Sequence, residues 1–285
     1  MKGFNNMGNT CYLNSGLQLL IQNIDLCNII IKYGNQSLIL NKIAQIIIEY
    51  HNDQSGSINP IEIKQIIQER QIIFNGHEQQ DASEFIICLL NLIDEEIKKI
   101  NSNSNEIDDL FGINMNVRIK CKYNNCLQIF NNKEKNNFLI LDINDQTNTL
   151  DEIYRNFKSS DLLTEDNQYF CEKCNMKRNA SKRYQIIDWP DNLIIILKRF
   201  KQNGQFITKQ NQHINIDLFW RHGMSLVSAV IHYGNLNGGH YVNIGKILDK
   251  WYLFNDTNIS LIQNENELNN ILNFAYILSY KKINN

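Results

Sequence analysis

The chain has 285 residues, 28 basic and 30 acidic side chains, and a formal charge of −2. That balance makes no electrostatic case for nucleic acid, whose binders cluster basic charge on one face, so no nucleic-acid partner is expected. No apolar run approaches the length of a membrane span and no basic-then-apolar leader opens the chain, so no membrane partner is expected either.

The seven cysteines are Cys11, Cys27, Cys88, Cys121, Cys126, Cys171 and Cys174. An odd count without a signal segment argues against a disulfide framework and for a reducing compartment, cytoplasmic or nuclear. The length allows one large domain or two smaller ones. The abundant isoleucine and asparagine read as coding bias rather than function.

Near the N-terminus, Asn5-Asn6-Met7-Gly8-Asn9-Thr10 is a polar, turn-forming run that ends at Cys11. Leu13, Leu17, Leu20, Ile21 and Ile24 then recur at three- and four-residue spacing, as one face of an amphipathic helix does. Asn9 or Thr10 is a suitable N-cap, and Gly8 can take the backbone angles of the leading turn. Cys11 therefore falls in a first helical turn, where unpaired N–H groups and the helix dipole stabilise a thiolate. An inert buried cysteine looks the same until a histidine is found for it.

Helical periodicity continues to about residue 100. Ile43, Ile46, Ile47 and Tyr50 share one face; Ile61, Ile63, Ile66 and Ile67 form another, begun by Asn59 as cap and Pro60 at the first position. A third helix starts near Gln80 and buries Phe85, Ile86, Leu89, Leu90 and Ile93. The polar stretch 101–109 that follows reads as a linker. Beyond it the period changes to two: Met115, Val117, Ile119 and Cys121 alternate with polar residues. A branched apolar run at 193–197 suits a strand buried on both faces, and further strands are expected at 225–232, 240–244, 251–254 and 275–281. Helices first and mostly antiparallel strands later make the class α+β.

Four groups of residues carry chemistry. Gly238-Gly239-His240-Tyr241 places a potential general base after two glycines that permit close backbone approach; an ordinary hairpin turn reads the same way. Asn255 and Asp256, at the end of an apolar strand, can each accept the imidazole Nδ1–H and fix its tautomer. Cys121-x4-Cys126 and Cys171-x2-Cys174 can present four thiolates to a structural zinc, each pair as one knuckle. Asp81 and Glu84 share a helix face and either complement the helix dipole or recognise a basic peptide.

In this order the groups resemble the ubiquitin-specific protease family of deubiquitinating enzymes. The resemblance runs from Gly3 to Tyr280. It includes the cysteine box Asn6 to Ser15 with Leu17-Gln18, then Gln79-Gln80-Asp81-Ala82-Ser83-Glu84-Phe85, and Tyr169 through Cys174. Trp189-Pro190, Leu197-Lys198-Arg199-Phe200, Ala229 through Gly234, Gly238 through Tyr241 and Trp251 through Asp256 complete it. The resemblance implies a papain-like cysteine protease fold of thumb, palm and zinc-ribbon-like fingers in a single catalytic domain over residues 1–285. Residues 1–110 would be the thumb, 111–190 mainly fingers with part of the palm, and 191–285 mainly palm.

It further implies that Cys11 is the nucleophile, His240 the base and Asn255 the third triad member, with Asp256 assisting. Asn6 would donate to the oxyanion beside the Cys11 backbone N–H. Asp81 and Glu84 would meet the basic tail of ubiquitin, and Gly238 and Gly239 would wall a channel that admits only Gly-Gly. Gln79, Arg199, Phe200 and Tyr241 are the remaining substrate-binding positions. Cys121, Cys126, Cys171 and Cys174 would hold a structural zinc. Ubiquitin and ubiquitinated proteins are the expected partners of a monomeric enzyme.

Two features depart from the pattern. The first cysteine pair is Cys-x4-Cys, longer than the commonest knuckle, and the cysteine box begins so early that no targeting or adaptor domain is expected before it. A catalytically weak ubiquitin-binding relative and a protease for a ubiquitin-like modifier are the competing readings.

Overall fold

The computed structural model describes residues 1–52, 55–203, 206–235 and 238–283. Six helices come first: α1 (Cys11–Ile21), α2 (Ile24–Gly34), α3 (Leu38–His51), α4 (Ile61–Arg70), α5 (Ala82–Ile100) and α6 (Glu106–Phe111). Side chains fix several of their starts. Asn23 accepts from the Leu26 N–H, Ser37 from Leu40, and Asp81 from both Ser83 and Glu84. Their apolar faces meet in one thumb core with Leu13, Ile47, Ile63, Phe74 and Phe85 at its centre.

Two expectations change here. Residues 101–109 are not simply a linker, because α6 starts within them and buries Ile107 and Phe111 in the thumb core. Those two side chains lie four apart, on one face of the helix, and draw the segment in. And α1 buries more than the one apolar face that the spacing showed: all eleven of its residues are buried. Its polar side meets protein instead of water. Gln18 donates to the Lys2 carbonyl at 2.9 Å, and Gln22 to Asn243 Oδ1 at 3.1 Å. These bonds satisfy the amide NH₂ groups, and the one from Gln22 ties thumb to palm.

The remainder is mostly strand: β1 (Ile113–Cys121), β2 (Ile129–Asn136), β3 (Leu139–Asp142), helix α7 (Leu150–Phe157), β4 (Ser160–Leu163), β5 (Tyr169–Cys171), β6 (Met176–Arg178), β7 (Ala180–Asp188) and β8 (Asn192–Lys198). Then come β9 (Phe200–Asn203), β10 (Phe206–Lys209), β11 (Phe219–Trp220), β12 (Met224–Asn235), β13 (Gly238–Ile247), β14 (Lys250–Asn255), β15 (Asn258–Leu261), helix α8 (Glu265–Leu272) and β16 (Ala275–Lys282). The fingers are a four-stranded sheet in the order β2-β1-β7-β4 with the small β5-β6 hairpin. The palm sheet runs β15-β14-β13-β12-β16-β8-β3, with β11 paired to β12, and β3 joins it parallel to β8.

β8 shows why its sequence is apolar without alternation. Ile194 and Ile196 enter the thumb core, whereas Leu193, Ile195 and Leu197 enter a second core with Ile153 of α7. Just after β8 the structure corrects the role expected of Arg199. Its side chain is buried and donates to the carbonyls of Ala275, Gln210, Gln212 and Asn273 at 2.7–3.0 Å. It ties strand ends together, and four of its five N–H donors are spent on these carbonyls instead of on substrate. Burial holds its pKa down, to about 10. Arg199→Ala should therefore destabilise the fold by about 3–5 kcal/mol, by leaving buried carbonyls unpaired. A lower urea midpoint at unchanged m-value would show it.

Candidate active site

The residues before α1 form a hydrogen-bonded loop. Asn6 Oδ1 accepts from the Gly8 N–H at 3.0 Å and the Thr10 N–H at 3.3 Å, while Thr10 Oγ1 accepts from the Met7 N–H at 2.9 Å. Gly8 takes φ +91, as the turn requires of a residue without Cβ. Thr10 occupies the N-cap position of α1, yet its side chain does not cap the helix. That is the correction to the capping expectation, and it has a chemical meaning. The first amides of α1, including that of Cys11, keep their donors for a ligand.

His240 lies on β13 opposite Tyr233 of β12, and Asn255 ends β14 one residue beyond Phe254, which pairs with Asn243. The imidazole Nε2 lies 2.7 Å from Asn255 Oδ1. This corrects the nitrogen assigned from the sequence: Nε2–H donates to the amide, which leaves Nδ1 for the thiol. A hydrogen bond with Cys11 is the main reason the imidazole is pushed up to about 9; burial opposes it, and Asn255 and the Asp256 charge add to it.

Asp256 binds the N-terminal segment to this site. Its Oδ2 accepts from Asn6 Nδ2 at 2.9 Å and its Oδ1 from Asn14 Nδ2 at 2.7 Å. Its carbonyl also accepts from the Phe4 N–H at 2.9 Å. Thus one carboxylate aims the expected oxyanion amide and anchors α1, which carries Cys11. Asn14 was not singled out from the sequence; its place one helical turn after Cys11 was the available signal.

The positions expected to hold the substrate's tail divide into three groups. Glu84 is exposed, with a carboxylate free of hydrogen bonds among the described residues; partial burial, then the Asp81 charge, raise its pKa. Asp81 is already engaged, since it caps α5 and accepts from Tyr276 Oη at 2.6 Å. Gln79 reaches across the cleft and clasps Gly239, accepting from its N–H at 3.1 Å and donating to its carbonyl at 2.8 Å.

Gly238 has nothing within 4 Å of where a Cβ would stand, so a side chain there would project into open space. Gly239 differs: a Cβ would lie 2.1 Å from the His232 ring, so this glycine makes room for His232. Tyr241 is buried with its ring 4.4 Å from that of His232, and it forms part of the thumb–palm core instead of a substrate surface. Phe200 is half-buried with its edge against His232 and Tyr276.

His232 lay within the matched run Ala229 through Gly234 but was given no role, and Lys209 was not singled out. Burial, then Lys209 and His240, press the His232 pKa down to about 4, which keeps the ring neutral. Lys209 Nζ donates to the carbonyls of His232 and Gly234 at 2.9 and 2.8 Å and so holds the turn that leads to His240.

At the fingertips the sulfurs of Cys121, Cys126, Cys171 and Cys174 all lie within 4.8 Å of one another. A tetrahedral zinc thiolate site has S–S edges of about 3.8 Å, so the donor set fits. The longer loop of the first knuckle is accommodated by a turn in which Cys126 N–H donates to the Tyr123 carbonyl at 2.9 Å. Leu127 and Asn175, each directly after the second cysteine of its pair, both take positive φ. The Gln128 N–H, above all, draws Cys126 down to about 7. Around these sulfurs there is little else to pack: among the described residues only Phe130 and Tyr169 join them. Zinc here substitutes for a core. Cys171→Ser should lose the metal and loosen the fingertip, whereas Cys11→Ser should retain it; metal analysis of the two variants checks this.

A thiol at a helix start, opposed by an imidazole and an amide carried on a sheet, defines a papain-like cysteine hydrolase. The chain belongs to the ubiquitin carboxyl-terminal hydrolase family, whose model it matches over residues 2–280. It is 30% identical over 300 residues to ubiquitin carboxyl-terminal hydrolase 12 of Salmo salar, an alignment covering 89% of this chain and 80% of that protein. It is 25% identical over 327 residues to ubiquitin carboxyl-terminal hydrolase Usp2 of Drosophila melanogaster, covering 98% of this chain but only 34% of the fly protein. Among solved structures it is similar to the SAGA DUB module of Ubp8, Sgf11, Sus1 and Sgf73 bound to monoubiquitin. That match has a TM-score of 0.82 and 25% identity, and covers 100% of this chain and 69% of its counterpart.

Proposed function

We propose that the chain is a deubiquitinase that hydrolyses the peptide or isopeptide bond after the C-terminal Gly-Gly of ubiquitin. The observation that carries this reading is His240 held between Cys11 and Asn255 at the uncapped start of α1. With Nε2–H fixed on Asn255, Nδ1 is free to take the Cys11 proton as the sulfur attacks the terminal glycine carbonyl. The oxyanion that forms is met by the Cys11 backbone N–H and the Asn6 amide, each such donor contributing about 10²–10³ in rate.

As the tetrahedral intermediate collapses, the C–N bond breaks and imidazolium Nδ1–H delivers its proton to the departing lysine amine. The glycine acyl group is left as a thioester on Cys11. Neutral Nδ1 then removes a proton from water, which attacks the thioester, and the proton returns to the leaving sulfur. A carboxylate at Glu84 suits an arginine of the incoming tail. Zinc on the four cysteines holds the fingers in shape and stands outside these steps.

Ubiquitin and its conjugates are the partners on this reading, and the chain acts as a monomer in the cytoplasm or nucleus. A ubiquitin bearing a C-terminal electrophile tests it: a covalent adduct on Cys11 is expected. A folded protein that forms none sinks the enzymatic reading.

A further inference from the structure

We propose that the outer face of the fingers sheet docks the phosphodiester backbone of duplex nucleic acid. Register puts the charges together. Arg118 of β1 lies directly opposite Arg183 of β7, Lys120 lies two residues further along the same strand, and Lys133 of β2 pairs with Asn116, two residues before Arg118. Side chains paired across antiparallel strands point to the same side, so Lys133, Arg118, Lys120 and Arg183 share one face. Lys135 is on it too, paired with Asp108 at 3.7 Å. The other four make no ion pair among the described residues.

Like charges directly opposite in a sheet oppose its formation. This sheet nevertheless keeps Arg against Arg on its solvent side, in a chain whose formal charge is −2. The reverse face is otherwise occupied. There Val117 and Ile186 are buried, while Glu134, Asp161 and Tyr184 line the hollow at the palm junction.

The character of the outer face selects the occupant. Between and beside the cations stand Asn116, Asn131 and Gln185, with Ile129 and Leu162 at the margin and no aromatic ring among the described strand residues of this face. Single-stranded bases need rings on which to stack. A peptide takes its register from a strand edge or from pockets for its side chains; the sheet's edges are β2 and β4, whereas the charges centre on β1 and β7 between them. Arg183 gives one N–H to the Lys158 carbonyl at 3.1 Å and keeps its charge, and Asp188 sits at the end of the patch beside Asn114. Cationic charge flanked by amides suits phosphates, whose recognition needs only charge and donors. The inference is independent of the catalytic reading, and it revises the expectation drawn from net charge alone.

The test is fluorescence anisotropy of the full chain with a labelled 20-base-pair duplex of arbitrary sequence, over a salt series. Four phosphate contacts predict a log–log salt slope of about −3.6, or roughly 10²-fold weaker binding at 200 mM than at 50 mM salt. The double variant Arg118→Gln/Arg183→Gln should weaken binding and bring the slope to about −1.8, with circular dichroism and ubiquitin-probe reactivity unchanged. Lys120→Gln/Lys133→Gln gives an independent second reading should the first variant not fold. The proposal falls if the wild type does not bind duplex at 50 mM salt or if the variants keep its slope. It falls equally if a polyglutamate peptide binds more tightly than the duplex, which would make an acidic protein segment the occupant.

Discussion

Exchanging Asp256 for asparagine should lower kcat by about 10²–10³-fold while KM changes little. The carboxylate uses both oxygens as acceptors, one for Asn6 Nδ2 at 2.9 Å and one for Asn14 Nδ2 at 2.7 Å. An asparagine has one carbonyl oxygen, and its NH₂ would confront one of these two donors. Asn14 is buried and central to α1, whereas Asn6 is exposed, so the pairing with Asn6 yields. The oxyanion amide then loses its aim, and the imidazolium loses a nearby negative charge that raises its pKa. Asp256 sits at φ +51, a conformation asparagine tolerates, so the substitution tests chemistry without straining the turn. If Asp256 acts through Asn6, combining it with Asn6→Ala should cost little more than either change alone. Steady-state kinetics on a ubiquitin C-terminal amide would decide, and a kcat within threefold of wild type would remove Asp256 from the mechanism.

What sequence made legible was whatever depends on spacing along the chain. The core-facing pattern of α5, the continuous apolar run of β8 and the alternation in β1 each announce a single element, and each was found close to its observed bounds. The catalytic groups were legible as residue types beside turn signals. Three kinds of feature were not. Short helices such as α7 and α8 bury only a few side chains, Leu150, Ile153 and Tyr154 in one and Leu268 and Leu272 in the other, too few to set up a period. The destination of polar residues was hidden too. Arg199 looks like a surface cation until the carbonyls of residues 210–212 and 273–275 close around it. Nor could sequence choose between the ring nitrogens of His240, because that depends on how β13 delivers the ring between α1 and the end of β14. The basic outer face of the fingers belongs with these cases. Arg118 and Arg183 are 65 positions apart, and only strand pairing makes them neighbours.

In the folded chain His240 should hold its proton to about pH 9, and removing the Cys11 sulfur should bring that value down. The hydrogen bond with Cys11 is the largest contribution raising it from an ordinary 6.5, ahead of Asn255 and the Asp256 charge, with burial acting in the opposite direction. Because the folded value is the higher one, protonated His240 contributes stability that is complete below about pH 6.5. That contribution is lost as the pH rises through about 9. Catalysis should follow the same group, since leaving-amine departure needs the proton on Nδ1, and kcat/KM should show an alkaline limb near pH 9. In Cys11→Ser the neutral hydroxyl offers no counter-charge, and His240 should titrate at least about one unit lower. Following the imidazole Cε1–H by NMR across pH 5–10 in both proteins measures the two values directly. Titration near 6.5 in the wild type, or equal values in the two proteins, would mean that Cys11 and His240 are not paired in the free chain.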